Sequence, residues 1–332
     1  MVAPDAHVIA PSPRGPLTAA RRMLEVVSGR PGHQRLQRVL ALLFLTYSAV
    51  LSYGRLERGS PPTIGTTVLV MFAIAVFIGR GGRFMRVLLP IVMGLLSYGL
   101  MTTYAQHLSF QIHYLPQIHL DRVLGFGSIP TVWLQSHLYS GGTGPLEEFA
   151  VLMWLSHFMF PLAFGFALWL HKRYDAFAFL LCGLLGTLVL GEITFMLAPS
   201  APPWLASQHG YLPPIHHLLK QTLAGMHLTG IATIDGDPRH YNIVAAFPSL
   251  HAAFPVITLL VARRFGMPRW VQLLFALQAL GVAFAIVYTG EHYVTDVLAG
   301  VLYAVVVSWL TALLVGNRSL TVRVKRAKRS PA

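Results

Sequence analysis

Long apolar runs separated by short polar segments dominate the chain from about residue 39 onward. With a window of about 19 residues, the length of a transmembrane helix, the pattern predicts eight candidate spans. They are residues 39–54, 63–79, 87–104, 150–170, 176–197, 243–262, 270–288 and 293–315, of which the first two are the shortest. Because about 20 residues of helix cross a bilayer, we expect an all-α integral membrane protein, a polytopic helical bundle of about eight spans.

The segments outside these runs are polar and divide the chain into three parts. Residues 1–37 are rich in proline and arginine, which predicts a disordered basic tail. Residues 38–316 are expected to form a single membrane domain, and residues 317–332 a second basic tail. Inside the membrane domain there are two long connections, at about 105–149 and 198–242. The first contains short amphipathic stretches, which predict helices lying on the membrane surface.

Composition and charge narrow the class of protein. Apolar residues make up 55% of the chain and charged residues only 11%, whereas soluble domains carry about 25% charged residues. A soluble enzyme is therefore excluded. A net charge of +13 would suggest nucleic acid as a partner of a soluble protein, but here the basic residues lie between and beyond the apolar runs. The expected partners are the membrane and a lipid substrate, with no nucleic acid.

The distribution of basic residues predicts the orientation in the membrane. When successive loops are assigned to alternate sides, 20 of the 25 lysines and arginines fall on the side of the N-terminus. Basic loops stay in the cytoplasm, so both termini are expected there, in a bacterial cell membrane. The two long connections then face the extracytoplasmic side.

No cofactor is expected. The single cysteine, Cys182, lies in an apolar run, so the chain has no intramolecular disulfide, zinc finger or C-x-x-C redox motif. No Walker or Rossmann glycine motif opens a helix, which argues against nucleotide use. The histidines of the long connections lack the spacing of a metal site, so we expect no metal.

Ionisable side chains inside the spans are costly and are therefore the candidates for chemistry. They are His157, Glu192, His251 and Asp296, with His292 at the edge of a span. His292 and Asp296 are four residues apart, so on a helix the carboxylate can accept a hydrogen bond from the imidazole. His251 lies at a similar depth, so one histidine can attack while the other moves a proton. The alternative is that these residues only form hydrogen bonds between helices.

Three segments at the outer ends of spans carry a resemblance to a known family. They are Phe247-Pro248-Ser249-Leu250-His251, the run from Gly290 through His292 to Asp296, and Ala198-Pro199-Ser200-Ala201-Pro202-Pro203-Trp204. They resemble the motifs of the type 2 phosphatidic acid phosphatase superfamily, and more closely its inositol phosphorylceramide synthase (inositolphosphotransferase) branch. The stretch from Asp121 to Gly127 resembles the same branch. The resemblance implies a six-helix phosphatidic acid phosphatase-like core at about residues 120–315.

The resemblance also implies a role for each catalytic residue. His292 would be the nucleophile that takes up the phosphoryl group as a phosphohistidine, and Asp296 would orient it. His251 would protonate the leaving alkoxide and then deprotonate the acceptor hydroxyl.

One departure from the superfamily pattern concerns the groups that neutralise the phosphate. The family's first motif usually carries a lysine and an arginine, but residues 198–204 contain no cation. We expect the phosphate to be held by side chains of the outer loops and by backbone N–H groups at the helix starts near Ser249 and His292. The residues expected to bind substrate are Ser249, Arg239, His240, Lys220, Trp204 and Tyr293. The missing cations favour a diester donor over a phosphomonoester.

The reaction favoured by these features is transfer of a phosphoryl group or phospho-headgroup, such as phosphoinositol, from a phospholipid to a hydroxyl acceptor. Two alternatives stay open. The same residues would hydrolyse a lipid phosphate or polyprenyl pyrophosphate if water were the acceptor. In a membrane transporter, the four residues His251, Glu192, His292 and Asp296 would instead form a relay for protons or substrate.

Overall fold

The computed structural model describes residues 64–85, 111–228 and 243–315, together with scattered residues between 38 and 53 and between 88 and 94. The predicted tails, seven of the 16 residues of the predicted span 39–54 and most of the predicted span 87–104 lie outside the described residues. The chain divides into two compact units, one of residues 1–57 and 62–90 and one of residues 58–61 and 91–332. The first unit contains helix α1 (Ile64–Phe77), a short apolar helix.

The second unit carries the rest of the described secondary structure, all of it helical apart from two isolated bridges. Its described helices are α2 (Leu115–Leu124), α3 (Pro130–Leu138), α4 (Pro145–Leu170), α5 (Tyr174–Leu197), α6 (Pro203–Gln208), α7 (Leu218–Gly225), α8 (Leu250–Arg264), α9 (Arg269–Tyr288) and α10 (Val294–Val315).

Four of the described helices, α4, α5, α9 and α10, are long and apolar enough to cross a membrane. They coincide with four of the eight predicted spans. The described residues therefore contain fewer than the eight spanning helices that were predicted. The chain is therefore an all-helical membrane protein. The first long connection contains the short helices α2 and α3, where helices were predicted, and the second contains α6 and α7.

The predicted span at 243–262 is wrong at its start, because helix α8 begins only at Leu250 and has 15 residues. Ser249 caps the helix: its backbone is extended, and its Oγ accepts a hydrogen bond from the N–H of Ala252 at 3.3 Å. The preceding apolar residues 243–247 are not helical. Helix α8 therefore covers roughly 22 Å at 1.5 Å per residue.

Helix α8 lies at the centre of the second unit and packs against α4, α5, α9 and α10. Its side chains Ala253, Ile257 and Val261 are fully buried in the main apolar cluster of the bundle. These small and branched side chains let the surrounding helices approach a short helix closely.

The two ends of this bundle differ in charge. Helices α4, α8 and α10 begin at the end that we call the motif end, where α5 and α9 finish. The short turns at the opposite end, which we call the basic end, are held together by a hydrogen bond from Arg173 Nη2 to the carbonyl of Phe265 at 2.8 Å. The basic residues of these turns and of the adjoining helix ends are Lys172, Arg173, Arg263, Arg264 and Arg269.

The contact between α8 and α10 depends on the absence of a side chain at Gly300. A Cβ atom at this position would lie 2.2 Å from the backbone oxygen of Ser249, a contact that neither backbone can relieve by a rotamer change. The glycine thus lets the start of α8 lie directly against α10.

We expect Gly300→Ala to destabilise the protein by about 1–3 kcal/mol, because the added methyl group overpacks a backbone contact. The measurement is thermal unfolding of the purified protein in detergent. Gly142→Ala is the matched control, since a Cβ there meets nothing within 4 Å. Equal unfolding temperatures for the two variants would contradict the close approach.

Candidate active site

Three extended segments meet at the motif end and bring the predicted motifs together. Ser200 forms isolated parallel bridges with His113 on one side and Ala245 on the other. The N–H of Ser200 donates to Val244 O at 2.8 Å, and the N–H of Ala246 donates back to Ser200 O at 3.2 Å. The segment 198–204 therefore lies against the residues that lead into α8.

The turn between α9 and α10 carries His292 back toward the bundle. Gly290 has a φ of 86°, a left-handed conformation that favours glycine. The N–H of His292 then donates to the carbonyl of Ile286 at 3.0 Å, two residues before the end of α9. His292 is consequently only 3% exposed.

The structure brings the two predicted catalytic histidines into direct contact. Nδ1 of His251 lies 2.9 Å from Nε2 of His292, and Nδ1 of His292 lies 2.9 Å from the carbonyl of Ala246. A carbonyl only accepts hydrogen bonds, so Nδ1 of His292 carries a proton. In the neutral ring the lone pair is then on Nε2, and His251 must donate to it through Nδ1.

Burial keeps His292 in the form that can act as a nucleophile. Desolvation lowers the pKa of His292 to about 4, although the hydrogen bond to Ala246 acts in the opposite direction. The imidazole is therefore neutral near pH 7, with its Nε2 lone pair directed at His251.

Asp296 lies near His292 in a different arrangement from the predicted one. Its Oδ2 atom is 3.5 Å from Nδ1 of His292 and accepts the N–H of Tyr293 at 2.9 Å. The start of a helix leaves backbone N–H groups without partners, and the carboxylate satisfies one of them. The carbonyl of Ala246, rather than Asp296, accepts the shorter hydrogen bond that orients the imidazole.

The predicted substrate-binding residues are placed in several environments. Ser249 is fully buried and uses its hydroxyl as the cap of α8. Tyr293 is fully buried in an apolar cluster with Ile118 and Ala206. Burial and the nearby carboxylates raise the pKa of Tyr293. These two side chains lie among packed residues beside the histidine pair.

Trp204 lies at the same turn as His292, since its backbone N–H donates to Gly290 O at 3.2 Å. Its ring stacks on His217 with the ring centres 4.4 Å apart, and Nε2 of His217 lies 2.7 Å from Oε1 of Glu291. Lys220 is exposed on α7. Arg239 and His240 lie outside the described residues, so their role stays a prediction.

One residue that the sequence reasoning left outside the site is Asp121 on α2. Its Oδ1 accepts the N–H and the hydroxyl of Thr295 at 2.8 and 2.6 Å, and its Oδ2 accepts the N–H of Val294 at 3.0 Å. Burial raises the pKa of Asp121, and these hydrogen bonds oppose the rise. The family-like stretch beginning at Asp121 was the available signal, but it could not reveal the partner.

The two carboxylates change the expectation for phosphate binding at α10. Asp121 and Asp296 together occupy the N–H groups of Tyr293, Val294 and Thr295. The expectation that backbone N–H groups at this helix start bind the phosphate is therefore wrong for these three residues.

A third histidine, His157 of α4, adjoins the pair. Its ring centre lies 4.3 Å from that of His251, edge to face, and its Nδ1 donates to the carbonyl of Trp154. The sequence could not indicate this contact, because His251 is 94 residues away from His157 in the chain. Among the described residues, no group of three His, Cys, Asp or Glu side chains is arranged to hold a metal ion.

Two histidines and an aspartate lie together at one end of the membrane bundle. These are the site residues that the resemblance implies for an enzyme acting on lipid phosphoesters. The sequence profile of the PAP2 superfamily matches residues 118–310, more than half of the chain. The chain therefore belongs to the PAP2 superfamily, the family that its motifs resemble. This membership confirms the predicted enzyme class of phosphatases and phosphotransferases and disfavours the transporter.

The chain is also similar to a protein of Bacteroides thetaiotaomicron named phosphoinositol dihydroceramide synthase. The two are 31% identical over 170 residues, which is 49% of this chain and 54% of the relative. The chain thus matches only about half the length of this curated relative. No solved structure matches the chain.

The lowered pKa gives a prediction for His292. We expect its imidazole to stay neutral at pH 5.5, because burial penalises the charged form and the group gains its proton only near pH 4. The measurement is ¹⁵N NMR of histidine-labelled protein in detergent micelles, with His292→Gln used to assign the resonance. Titration of that resonance near pH 6.5 would contradict burial of the ring.

Proposed function

We propose that the protein transfers a phosphorylated headgroup from a phospholipid donor to a hydroxyl acceptor, through a covalent intermediate on His292. The observation that carries the proposal is the 2.9 Å contact between Nε2 of His292 and Nδ1 of His251. A nucleophile and its proton-transfer partner are expected within this reach of one another.

The first step forms the bond between Nε2 of His292 and phosphorus. Because His251 faces Nε2 directly, its imidazole must turn aside as the phosphate enters. The lone pair of Nε2 then attacks phosphorus while the bond to the departing alcohol oxygen breaks. His251, in its imidazolium form, gives a proton to that oxygen and becomes neutral.

The second step regenerates both histidines. The acceptor hydroxyl loses its proton to His251, and its oxygen attacks phosphorus as the bond to Nε2 breaks. The lone pair returns to His292, and the proton on His251 is restored. Fixed positions favour both steps, since phosphoryl transfer depends mainly on alignment and electrostatic stabilisation.

The choice of donor follows from charge. A phosphodiester carries a single negative charge, whereas a monoester near neutral pH carries close to two. Residues 198–204 contain no cation, and carboxylates occupy the first N–H groups of α10. We therefore assign a diester donor. The similarity to a phosphoinositol dihydroceramide synthase supports phosphoinositol as the headgroup and a long-chain lipid alcohol as the acceptor.

The test is an assay of purified protein in mixed micelles that contain phosphatidylinositol, with and without ceramide. We expect a new phosphoinositol lipid only when ceramide is present, detected by mass spectrometry. His251→Gln should lower kcat by about 10²–10⁴-fold, the usual contribution of a general acid and base. His292→Gln should abolish transfer because it removes the nucleophile.

His137→Gln is the matched control, since His137 is exposed on α3 and contacts Trp133 instead of the histidine pair. Release of free headgroup phosphate without any acceptor would replace the transferase with a hydrolase. Unchanged turnover in His292→Gln would overturn the covalent intermediate.

The basic end supports a second proposal, on sidedness. Loops rich in lysine and arginine stay in the cytoplasm, so the motif end, with His251 and His292, is assigned to the extracytoplasmic side.

To test this orientation, single cysteines are placed at Gln208 and His171 in a Cys182→Ser background. Both positions are exposed, Gln208 at the motif end and His171 at the basic end. A membrane-impermeant maleimide should label Gln208→Cys in intact cells and His171→Cys only after permeabilisation. The opposite pattern would invert the topology.

A further inference from the structure

Helix α2 has two faces of opposite character. Its inward face carries Ile118 and Asp121, both buried. Its outward face carries Leu120, 53% exposed, and Val123, 75% exposed, and the loop that follows places Phe126 entirely in the open. Large apolar side chains exposed together mark an interaction surface rather than a solvated helix.

The depth of this surface follows from the helix that α2 contacts. Helix α10 has 22 residues and covers roughly 33 Å, close to the ~30 Å thickness of the hydrocarbon core. Its first turn therefore lies at the level of a bilayer surface. Asp121 is hydrogen-bonded to Val294 and Thr295 in that first turn, so α2 lies at the same level.

We infer that α2 and the loop after it dock into the lipid interface, and that Asp121 transmits this docking to the turn that carries His292. The docking surface consists of Leu120, Val123 and Phe126. Its occupant is the bilayer itself, because α2 packs against α10, a candidate membrane span on which Leu298 is also exposed.

The charge of the surface agrees with this occupant. Arg122 is exposed next to Val123, which places a cation beside apolar side chains. An amphipathic helix of this kind buries its apolar residues below the headgroups while its basic residue contacts anionic lipid phosphates.

The mechanical link between the surface and the site is short. Asp121 makes three hydrogen bonds, of 2.6 to 3.0 Å, to Val294 and Thr295. These two residues lie between His292 and Asp296 in the chain. A movement of α2 therefore shifts the start of α10, and with it the orientation of the imidazole. In this arrangement Asp121 is a positioning residue for the histidine.

The docking is tested by the depth of a spin label on Val123→Cys in a Cys182→Ser background. The protein is reconstituted in liposomes of phosphatidylcholine and phosphatidylglycerol, and electron paramagnetic resonance measures collisions with oxygen and with a water-soluble nickel chelate. We expect strong collisions with oxygen and weak collisions with nickel. A label on Gln208→Cys, in a polar exposed segment, is the control and should show the reverse.

Either other result for Val123→Cys overturns the docking. Collisions like those of the Gln208 label would place α2 in water. Protection from both reagents would mean that another protein surface, rather than lipid, covers the helix.

The coupling is tested by hydrogen–deuterium exchange of the peptide that covers residues 293–297, with the protein in lipid nanodiscs. Asp121→Asn should accelerate exchange several-fold, since the N–H groups of Val294 and Thr295 lose a charged acceptor. Val123→Ser should also accelerate exchange, because a polar side chain weakens the insertion of α2 into lipid and makes the helix more mobile. This variant changes only an exposed side chain and is expected to fold.

Val189→Ser is the matched control, since it makes the same change at an exposed position of α5 far along the chain from Asp121. Exchange at residues 293–297 should not change in this variant. If exchange at residues 293–297 is as slow in Val123→Ser as in Val189→Ser, α2 is not coupled to the start of α10. That conclusion would stand even if the spin label shows that α2 docks into lipid. The readout needs no substrate, so it is independent of the proposed reaction.

Discussion

The hydrogen bond from Nδ1 of His292 to the carbonyl of Ala246 is the interaction on which the rest of the site depends. It places the proton on Nδ1 and directs the Nε2 lone pair at His251. Its acceptor is held in turn, because the N–H of Ala246 donates to Ser200 and the N–H of Ser249 donates to the backbone oxygen of Asp296. Hydrogen bonds thus link the three motif segments to one another, and these links together fix the direction of the Nε2 lone pair.

The start of α10 sets a second constraint, which is electrostatic. The N-terminus of a helix normally attracts anions through its free N–H groups and its dipole. Here Asp121 and Asp296 take up these groups and bring two buried carboxylates close to His292. In the proposed reaction, two such carboxylates would repel a highly charged phosphate. This arrangement agrees with the proposed diester donor, which carries a single negative charge.

Much of the helical framework could be predicted from the sequence, because long apolar runs have few alternatives in a membrane. The start of α8 could not, since residues 243–247 are as apolar as a span but pair with the extended segment around Ser200. The similar depth of His251 and His292 could be predicted, whereas the contact between their rings could not. The bonds of Asp121 escaped prediction because its partners are more than 170 residues away in the chain. Periodicity carries no information about contacts of that kind.

The shortness of α8 has a consequence for the membrane around the protein. Its 15 residues fall roughly 8 Å short of the ~30 Å hydrocarbon core, and His251 lies in its first turn. The N–H of Ser249, at the start of α8, donates to Asp296 O in the first turn of α10, and the imidazole of His292 contacts His251 there. In the proposed transfer, the donor phosphate would therefore lie deeper than the phosphates of neighbouring lipids. In that reaction, a thinner leaflet would bring lipid headgroups nearer to the histidines, which links hydrophobic mismatch to the rate of transfer.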